Sequence, residues 1–151
     1  MAKNIAIVYH SGFGHTAKLA DYIALGVSQV AEVEVYLLSV DNIDWDILAA
    51  ADAIIMGCPT YMGSASAPFK TFMDASSKAW SQQVWQGKLA AGFTNSGGLS
   101  GDKLAVLQQI HLFAMQHGML WVGMPLQPTG TSPEDLNRMG SYMGWLAQAH
   151  S

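Results

Sequence analysis

At residues 9–17 the chain reads Tyr9-His10-Ser11-Gly12-Phe13-Gly14-His15-Thr16-Ala17. An apolar run at residues 5–8 precedes this stretch, and an amphipathic segment with Leu19, Ala20 and Ile23 follows it. The pattern predicts a strand, a tight loop and the start of a helix. Backbone N–H groups at a helix start lack partners within the helix, and two glycines let the loop wrap closely around an anion. The stretch therefore predicts a phosphate site; the simplest alternative is an ordinary strand-to-helix turn.

Composition and charge restrict the class of protein. The chain has 151 residues, of which half are hydrophobic and 12% are charged, so we expect one domain over residues 1–151 with a sizeable core. A net charge of -4 without any Lys/Arg run gives no support for nucleic-acid binding. Cys58 is the single cysteine, which excludes an internal disulfide. Without a signal peptide or an apolar run near the roughly 18 residues of a membrane span, we expect a cytoplasmic protein.

Apolar runs alternate with helical patterns along the rest of the chain. Further strands are predicted at residues 33–38, 51–57, 89–93 and 119–123, with the first of these at a sheet edge. One helix begins near Ser66 and Pro68, and another carries Leu104, Leu107, Ile110 and Met115 on one face. Five strands that alternate with helices predict a doubly wound parallel sheet.

Three polar or glycine-rich loops follow the first, third and fourth predicted strands. Pro59 and Gly63 are expected to end the third strand and to leave a shaped loop at residues 58–63. The fourth strand is followed by a Gly/Ser/Asn loop at residues 94–101. All three loops lie at the carboxyl edge of the sheet, where doubly wound folds bind ligands. Near the C-terminus, Ser132 and Asp135 indicate a helix start, although Gly140 and Gly144 weaken a helix beyond it.

The residues at these loops exclude several kinds of phosphate chemistry. A P-loop NTPase needs Lys after its glycines, whereas His15 and Thr16 follow Gly14. The loop after Cys58 lacks the arginine of a thiolate phosphatase, and the end of the first strand lacks the acids of a phospho-receiver domain. A dinucleotide site would need a third glycine and an acidic residue after the second strand. A mononucleotide remains, with its phosphate on neutral donors that include the Ser11 and Thr16 hydroxyls and its ring between the other two loops. Flavin mononucleotide (FMN) matches that layout.

Four stretches in order resemble signatures of the flavodoxin-like flavoproteins: Ser11-Gly12-Phe13-Gly14-His15-Thr16, Pro59-Thr60-Tyr61-Met62-Gly63, Phe93-Thr94-Asn95-Ser96-Gly97 and His117-Gly118-Met119. They are especially similar to WrbA-type NAD(P)H:quinone oxidoreductases and related NADPH-dependent FMN reductases, over residues 1 to about 125. The resemblance implies a flavodoxin-like α/β fold with strand order 2-1-3-4-5. The closing helix of that fold would be missing here, or residues 134–149 would form a short version of it.

The resemblance also assigns site residues by position. Those implied to bind FMN are Ser11, Gly12, Phe13, Gly14, His15, Thr16, Pro59, Thr60, Tyr61, Met62, Gly63, Thr94, Asn95, Ser96, Gly97, Gly98, Leu99, Ser100 and His117. Phe13 and Trp80 are implied to lie near the substrates. No metal site and no catalytic acid or base is predicted. Tyr61 stands where the family commonly has an arginine, so the preference between NADH and NADPH is open.

The implied function is an FMN-dependent oxidoreductase that passes electrons from NADH or NADPH to a quinone or a similar acceptor. A homo-oligomer, dimer or tetramer, is expected. Two alternatives stay open on the sequence. The chain could be a flavodoxin-type one-electron carrier, although 11 acidic against 7 basic residues give little support for an acidic docking face. It could also be a non-catalytic binding or assembly module that keeps the fold without FMN.

Overall fold

Helices pack on both faces of a mostly parallel sheet in the computed structural model, which describes residues 1–150. The strands are β1 (Lys3–Tyr9), β2 (Val33–Ser39), β3 (Ala53–Tyr61), β4 (Ser64–Ala65), β5 (Leu89–Ser96), β6 (Leu120–Trp121) and β7 (Trp145–Gln148). The helices are α1 (His15–Ser28), α2 (Trp45–Ala50), α3 (Ala67–Ala75), α4 (Ser77–Ser81) and α5 (Lys103–Gln116), with a 3₁₀ turn at Val40–Asn42.

The strand order confirms the predicted doubly wound sheet. The order is β2-β1-β3-β5-β6, with all four of these neighbouring pairs parallel and β2 at one edge. β4 adds a short antiparallel pairing at the end of β3, and β7 pairs with β5 in parallel. If the short strands β4 and β7 are left out and the other five strands are renumbered along the chain, this is the predicted order 2-1-3-4-5.

The fifth position of the sheet is shared by two short strands. β6 pairs with the first residues of β5, and β7 pairs with the last four, from Phe93 to Ser96. Residues 122–144 leave the sheet between them, and we call this segment the insertion. The predicted helix start at Ser132 is wrong: Asp135 accepts a hydrogen bond from the Ser132 N–H within a run of turns. The alternative that residues 134–149 form a short closing helix is also wrong, because Trp145–Gln148 pairs with the open edge of β5.

β3 is longer than predicted, since it continues through Pro59 to Tyr61. In a strand, residues two apart direct their backbone N–H and C=O groups toward the same neighbouring strand. The Gly57 carbonyl accepts from the His10 N–H, so Gly57 faces the β1 side. Pro59 therefore directs its nitrogen to that side, where β1 has already ended at Tyr9. The missing N–H of proline costs no hydrogen bond of the sheet, so the strand does not stop there.

The larger core lies between the sheet and helices α2, α3 and α5. Its largest buried side chains include Leu48, Ile54, Met56, Phe69, Phe72, Trp85, Ile110 and Phe113. On the opposite face, α1 packs on the sheet through Ala20, Ile7 and Phe93. Of the four residues predicted to form the apolar face of α5, Leu107 and Ile110 are buried, whereas Leu104 and Met115 are exposed. No helix within residues 1–150 is long and apolar enough to cross a membrane.

Candidate functional site

The ends of β1, β3 and β5 meet around a cavity of about 190 Å³ at the carboxyl edge of the sheet. Its lining consists of Phe13, His15, Thr16, Pro59, Thr60, Tyr61, Asn95, Ser96, Gly97 and Ala149. All of these except Ala149 are among the residues implied by the sequence resemblance. The structure therefore brings the three predicted loops together at one point of the sheet edge.

The loop between β1 and α1 presents unpaired hydrogen-bond donors. Ser11 Oγ accepts from the N–H groups of Gly14 and Ala17, both at 3.1 Å, which leaves the Ser11 hydroxyl proton free to donate. Within residues 1–150, the N–H groups of Gly12, Phe13, His15 and Thr16 have no acceptor. These donors surround the N-terminus of a 14-residue helix, whose dipole favours a negative charge there.

Gly14 adopts a conformation that requires glycine. Its φ is +94°, it caps α1, and the space beside it is open, since an added Cβ would have no atom within 4 Å. Gly12 is constrained differently, because a Cβ there would lie only 2.4 Å from the Tyr61 hydroxyl oxygen. Gly12 thus allows contact with the end of β3, and Gly14 forms the turn that exposes the N–H groups.

Thr16 connects the first loop with β5. Its hydroxyl donates to Asn95 Oδ1 at 2.6 Å, and both side chains are buried. Because a threonine hydroxyl has one proton, this proton is not available to an anion while the bond to Asn95 is formed. Thr16 therefore orients Asn95 at the cavity wall, and Ser11 is the side-chain hydroxyl donor that remains free in the loop.

A second buried chain of hydroxyl groups lies behind the cavity. The Thr94 hydroxyl donates to the Cys58 carbonyl at 2.6 Å, so the contact of 2.8 Å between Thr60 Oγ1 and Thr94 Oγ1 uses the Thr60 proton. Burial raises the pKa of the Cys58 thiol to about 11, which keeps it protonated near neutral pH and unsuited to act as a nucleophile. The hydrogen bonds from Thr60 to Thr94 and from Thr94 to Cys58 fix the adjacent ends of β3 and β5.

Aromatic and apolar groups border the outer side of the cavity. Phe13 is 83% exposed, and its ring lies edge-on to Tyr61 with 6.3 Å between the ring centroids. Met62 and Gly63 form the two-residue turn between β3 and β4, where both have positive φ and Met62 is fully exposed. Gln109 of α5 holds this hairpin by accepting from the Ala65 N–H at 2.9 Å.

Part of the predicted β5 loop faces away from this cavity. Leu99 and Ser100 line a larger cavity of about 720 Å³ together with Arg138 and Tyr142 of the insertion. A further cavity of about 430 Å³ lies beside the insertion, and Arg138 lines both. Neither larger cavity is lined by the unpaired N–H groups of the β1 loop, so the smaller one is the candidate ligand site.

His117 and Trp80 lie at the opposite end of the sheet. They share a cavity of about 200 Å³. The N–H of Gly87, just before β5 begins, donates to the carbonyl of Gly118, which is next to His117. The length of β5 separates that end from the β5 loop by about 23 Å, at about 3.3 Å per residue. In a single copy of the chain these two residues therefore cannot contact a ligand held by the loops, and their roles stay predictions.

The surroundings of His117 fix its protonation. The Ser76 hydroxyl donates to the Met73 carbonyl, so His117 Nε2 must carry the proton that bonds to Ser76 Oγ at 2.9 Å. Nδ1 is buried without a partner among residues 1–150, and the ring lies 4.2 Å from that of Trp85. Burial lowers the pKa of His117 to about 4, so the side chain is neutral near neutral pH.

Three residues contribute to the site without having been predicted from the sequence. Ala149 lines the cavity, and its N–H donates to the Ser96 carbonyl at 2.9 Å. Gln148 donates to the Gly97 carbonyl at 3.1 Å, and Lys103 donates to Ser96 Oγ at 2.8 Å. The apolar run at residues 145–147 is too short to predict a strand, whereas a lysine just after a glycine-rich loop is visible in the sequence.

Comparison with known proteins gives consistent results. The sequence profile of the family described as NADPH-dependent FMN reductase matches residues 45–127. Flavodoxin FldP from Pseudomonas aeruginosa is 44% identical over 96% of this chain and 80% of its own length. An NAD(P)H dehydrogenase (quinone) from Geobacter sulfurreducens is 32% identical over 93% of this chain and 81% of its own. A crystal structure of a flavodoxin, WrbA-like protein from Agrobacterium tumefaciens has 49% identity and a TM-score of 0.74, over 80% of this chain and 77% of that one.

Proposed function

Since this chain belongs to the NADPH-dependent FMN reductase family, we propose that it is an FMN-dependent oxidoreductase that passes electrons from NAD(P)H to a quinone or a similar acceptor. The observation that carries the proposal is the set of unpaired donors at the β1 loop, directly beside a cavity that the ends of β3 and β5 complete. We also propose that residues 1–151 form one FMN-binding domain. A place in the cytoplasm stays a prediction from the sequence.

The donors of the β1 loop fit the phosphate of FMN. Four free N–H groups and the Ser11 hydroxyl can bond to a dianion, each charge-assisted bond contributing roughly 1.5 to 3 kcal/mol. The helix dipole of α1 adds about 0.3 to 1 kcal/mol at an exposed site. Because nanomolar affinity needs about 12 kcal/mol, several of these bonds together with burial of the ring would be required.

The ends of β3 and β5 fit a planar ring that is only partly enclosed. Ligand pockets usually measure roughly 300 to 1,000 Å³, and this cavity is smaller, with Phe13 and Tyr61 at its open side. Thr60 and Asn95, each held by a buried hydroxyl bond, would orient the ring edge. Bound FMN would supply the redox chemistry, which no side chain of the site can perform, while the chain binds and orients the reactants.

We propose further that the chain acts as a homo-oligomer. The sequence resemblance assigns His117 and Trp80 to the flavin and substrate site, yet in one copy the length of β5 puts them about 23 Å from the loops. A neighbouring copy is the remaining source of these two side chains. Their shared cavity, with the unpartnered Nδ1 of His117, supports an intact site rather than two unrelated packing residues.

The proposal is tested by adding NADH or NADPH to FMN-loaded protein in the presence of benzoquinone and following nicotinamide oxidation. Oxidation of at least one donor, dependent on both FMN and benzoquinone, is expected. FMN-loaded protein that is inert with both donors would overturn the enzymatic function while leaving FMN binding intact. The rates with NADH and NADPH also decide which donor the protein prefers, a question that the sequence leaves open at Tyr61.

A flavodoxin-type electron carrier is the second candidate, because the relative at 44% identity is named a flavodoxin. Such a carrier exchanges single electrons with a protein partner. A redox titration would then resolve two well-separated one-electron steps, and benzoquinone would not accelerate oxidation of either nicotinamide. A single two-electron step with turnover by NAD(P)H favours the oxidoreductase.

A further inference from the structure

Lys103 is the first residue of α5 and is buried to 1% exposure, which is rare for a lysine. Its ammonium group donates to Ser96 Oγ at 2.8 Å and to the Gly98 carbonyl at 2.6 Å. Ser96 lines the candidate cavity. One hydrogen bond therefore connects this buried cation to the wall of the proposed FMN site.

Nothing near Lys103 balances its charge. The ion pairs within residues 1–150 join Lys3 to Asp52 and Lys70 to Asp74, so no carboxylate in that part of the chain lies within 4.0 Å of the Lys103 nitrogen. Arg138 adds a second positive charge close enough to lower the pKa of Lys103, although burial is the larger cause. The position at a helix N-terminus is also unfavourable for a cation. Three electrostatic costs thus coincide at one residue.

The β5 loop is built around this ammonium group. Ser96 Oγ accepts from Lys103 and donates to the Gly98 carbonyl, so both acceptors belong to one turn of the loop. Gly101 closes the turn with a φ of +55°, and a Cβ there would lie 2.0 Å from Ser96 Oγ. Gly101 therefore leaves space for Ser96 Oγ, and the two hydrogen bonds from Lys103 hold its charge beside the loop.

A fixed positive charge beside the site acts differently on the two redox states of a bound flavin. After two-electron, one-proton reduction, Lys103 would face one more negative charge on FMN than before. Coulomb attraction between charges is weakly screened where water is excluded, and Lys103 is excluded from water. The same charge would therefore stabilise reduced FMN more than oxidised FMN.

We propose that Lys103 is a positioning residue that fixes the β5 loop at the FMN site, and that its unbalanced charge makes the site prefer reduced over oxidised FMN. The inference rests on the proposed function, because it requires that FMN binds at this cavity.

The test compares Lys103→Met, Lys103→Arg and the wild type in a reductive titration of FMN-loaded protein with dithionite, which supplies the electrons. Lys103→Met is expected to lower the preference for reduced FMN at least tenfold, a fall of about 30 mV in the two-electron midpoint potential. Lys103→Arg keeps the charge and is expected to stay within threefold of the wild type. Lys3→Met removes an exposed lysine at the start of β1, at the other end of the sheet and outside the cavity that Trp80 and His117 share, and should leave the potential unchanged.

Three outcomes separate the inference from the function it rests on. Wild-type protein that binds no FMN overturns both. An unchanged potential in Lys103→Met, with FMN bound, overturns the role of Lys103 alone, as does a Lys103→Arg variant that shifts as far as Lys103→Met. If Lys103→Met does not fold, Lys103→Gln keeps a donor toward the loop without the charge, and its potential decides the matter in the same way.

Discussion

Ser11 is the residue on which the proposed phosphate site depends most. Its Oγ accepts from two N–H groups of the α1 start, and its own proton remains free. It therefore shapes the loop and provides a donor at once, which neither Gly12 nor Gly14 can do. Thr16, which looks equivalent on the sequence, has its proton bonded to Asn95.

Ser11→Ala is expected to weaken FMN binding by about 2 kcal/mol, roughly 30-fold, because one charge-assisted bond and the loop's internal acceptor are lost together. A fluorescence titration of FMN measures the change. Ser28→Ala, at the other end of α1, is the matched control and should bind FMN like the wild type. Equal affinity of Ser11→Ala and wild type would mean that the phosphate binds elsewhere.

His117 makes the stability of the fold depend on pH. The folded pKa of about 4 lies below the usual value of 6.5, so the unfolded chain binds more protons in between. The stabilisation by neutral His117 is fully present above pH 6.5 and is lost as pH falls toward 4. Burial also lowers the pKa of His10, which acts in the same direction.

His117→Phe retains an aromatic ring against Trp85 and cannot be protonated. We expect its unfolding free energy to fall less than that of the wild type between pH 6.5 and 4.5, by an amount on the order of 1 to 3 kcal/mol. Urea unfolding at a series of pH values measures both slopes. Parallel pH profiles for the two proteins would refute this source of acid sensitivity.

At the scale of elements, β3 and β5 position the site through their close approach. A Cβ on Gly57 would lie 2.3 Å from the Phe93 ring, so the glycine allows that ring to pack over β3. The pairing continues to Pro59 and Asn95, which places Thr60 and Ser96 at the cavity. The geometry of the ring site is therefore set by strand packing as much as by the loops.

Gly57→Ala is expected to destabilise the fold by about 1 to 3 kcal/mol, because the methyl group overpacks the core against Phe93. Gly26→Ala is the control: Gly26 lies within α1 with no atom within 4 Å of the added methyl, so a gain of roughly 0.5 to 1 kcal/mol is expected there. Thermal or urea unfolding of both variants measures the contrast. A Gly57→Ala variant as stable as Gly26→Ala would show that this approach is not tight.

The order of the sheet could be predicted from the sequence because strong local patterns carry it: apolar runs, glycine loops and helix starts. The predicted end of β3 was wrong, since whether Pro59 stops a strand depends on where β1 ends, which is not a local property. The fifth position of the sheet is divided between β6 and β7, which depends on pairing between residues far apart in the sequence, such as Trp145 with Phe93. The site loops were visible as motifs, whereas Lys103 gained its meaning only from its bonds to the loop.

At the scale of the whole molecule, one face of the sheet is incompletely covered. Leu89 and Leu120 pair with each other, and Trp145 pairs with Phe93, whose side chain packs toward α1. Strand residues alternate between faces, so these exposed apolar side chains share the face of α1. Burial of exposed apolar side chains between copies is favourable, so these three are consistent with the proposed homo-oligomer.

Light scattering on the FMN-loaded protein is expected to give the mass of two or four chains of 16.2 kDa. Trp80→Ala is expected to slow benzoquinone reduction severalfold and to leave FMN affinity within twofold, because Trp80 of a neighbouring copy is proposed to contact the substrate and not the FMN phosphate. A monomer with full activity would contradict the oligomeric site, and so would a Trp80→Ala variant with unchanged kinetics.

The most direct measurement is the visible spectrum of the purified protein mixed with FMN, recorded anaerobically before and after NADH or NADPH and again after benzoquinone. We expect one FMN per chain, loss of its visible absorption with at least one donor, and full recovery with benzoquinone. Protein that leaves the spectrum of free FMN unchanged, or that binds FMN without responding to either donor, would contradict it.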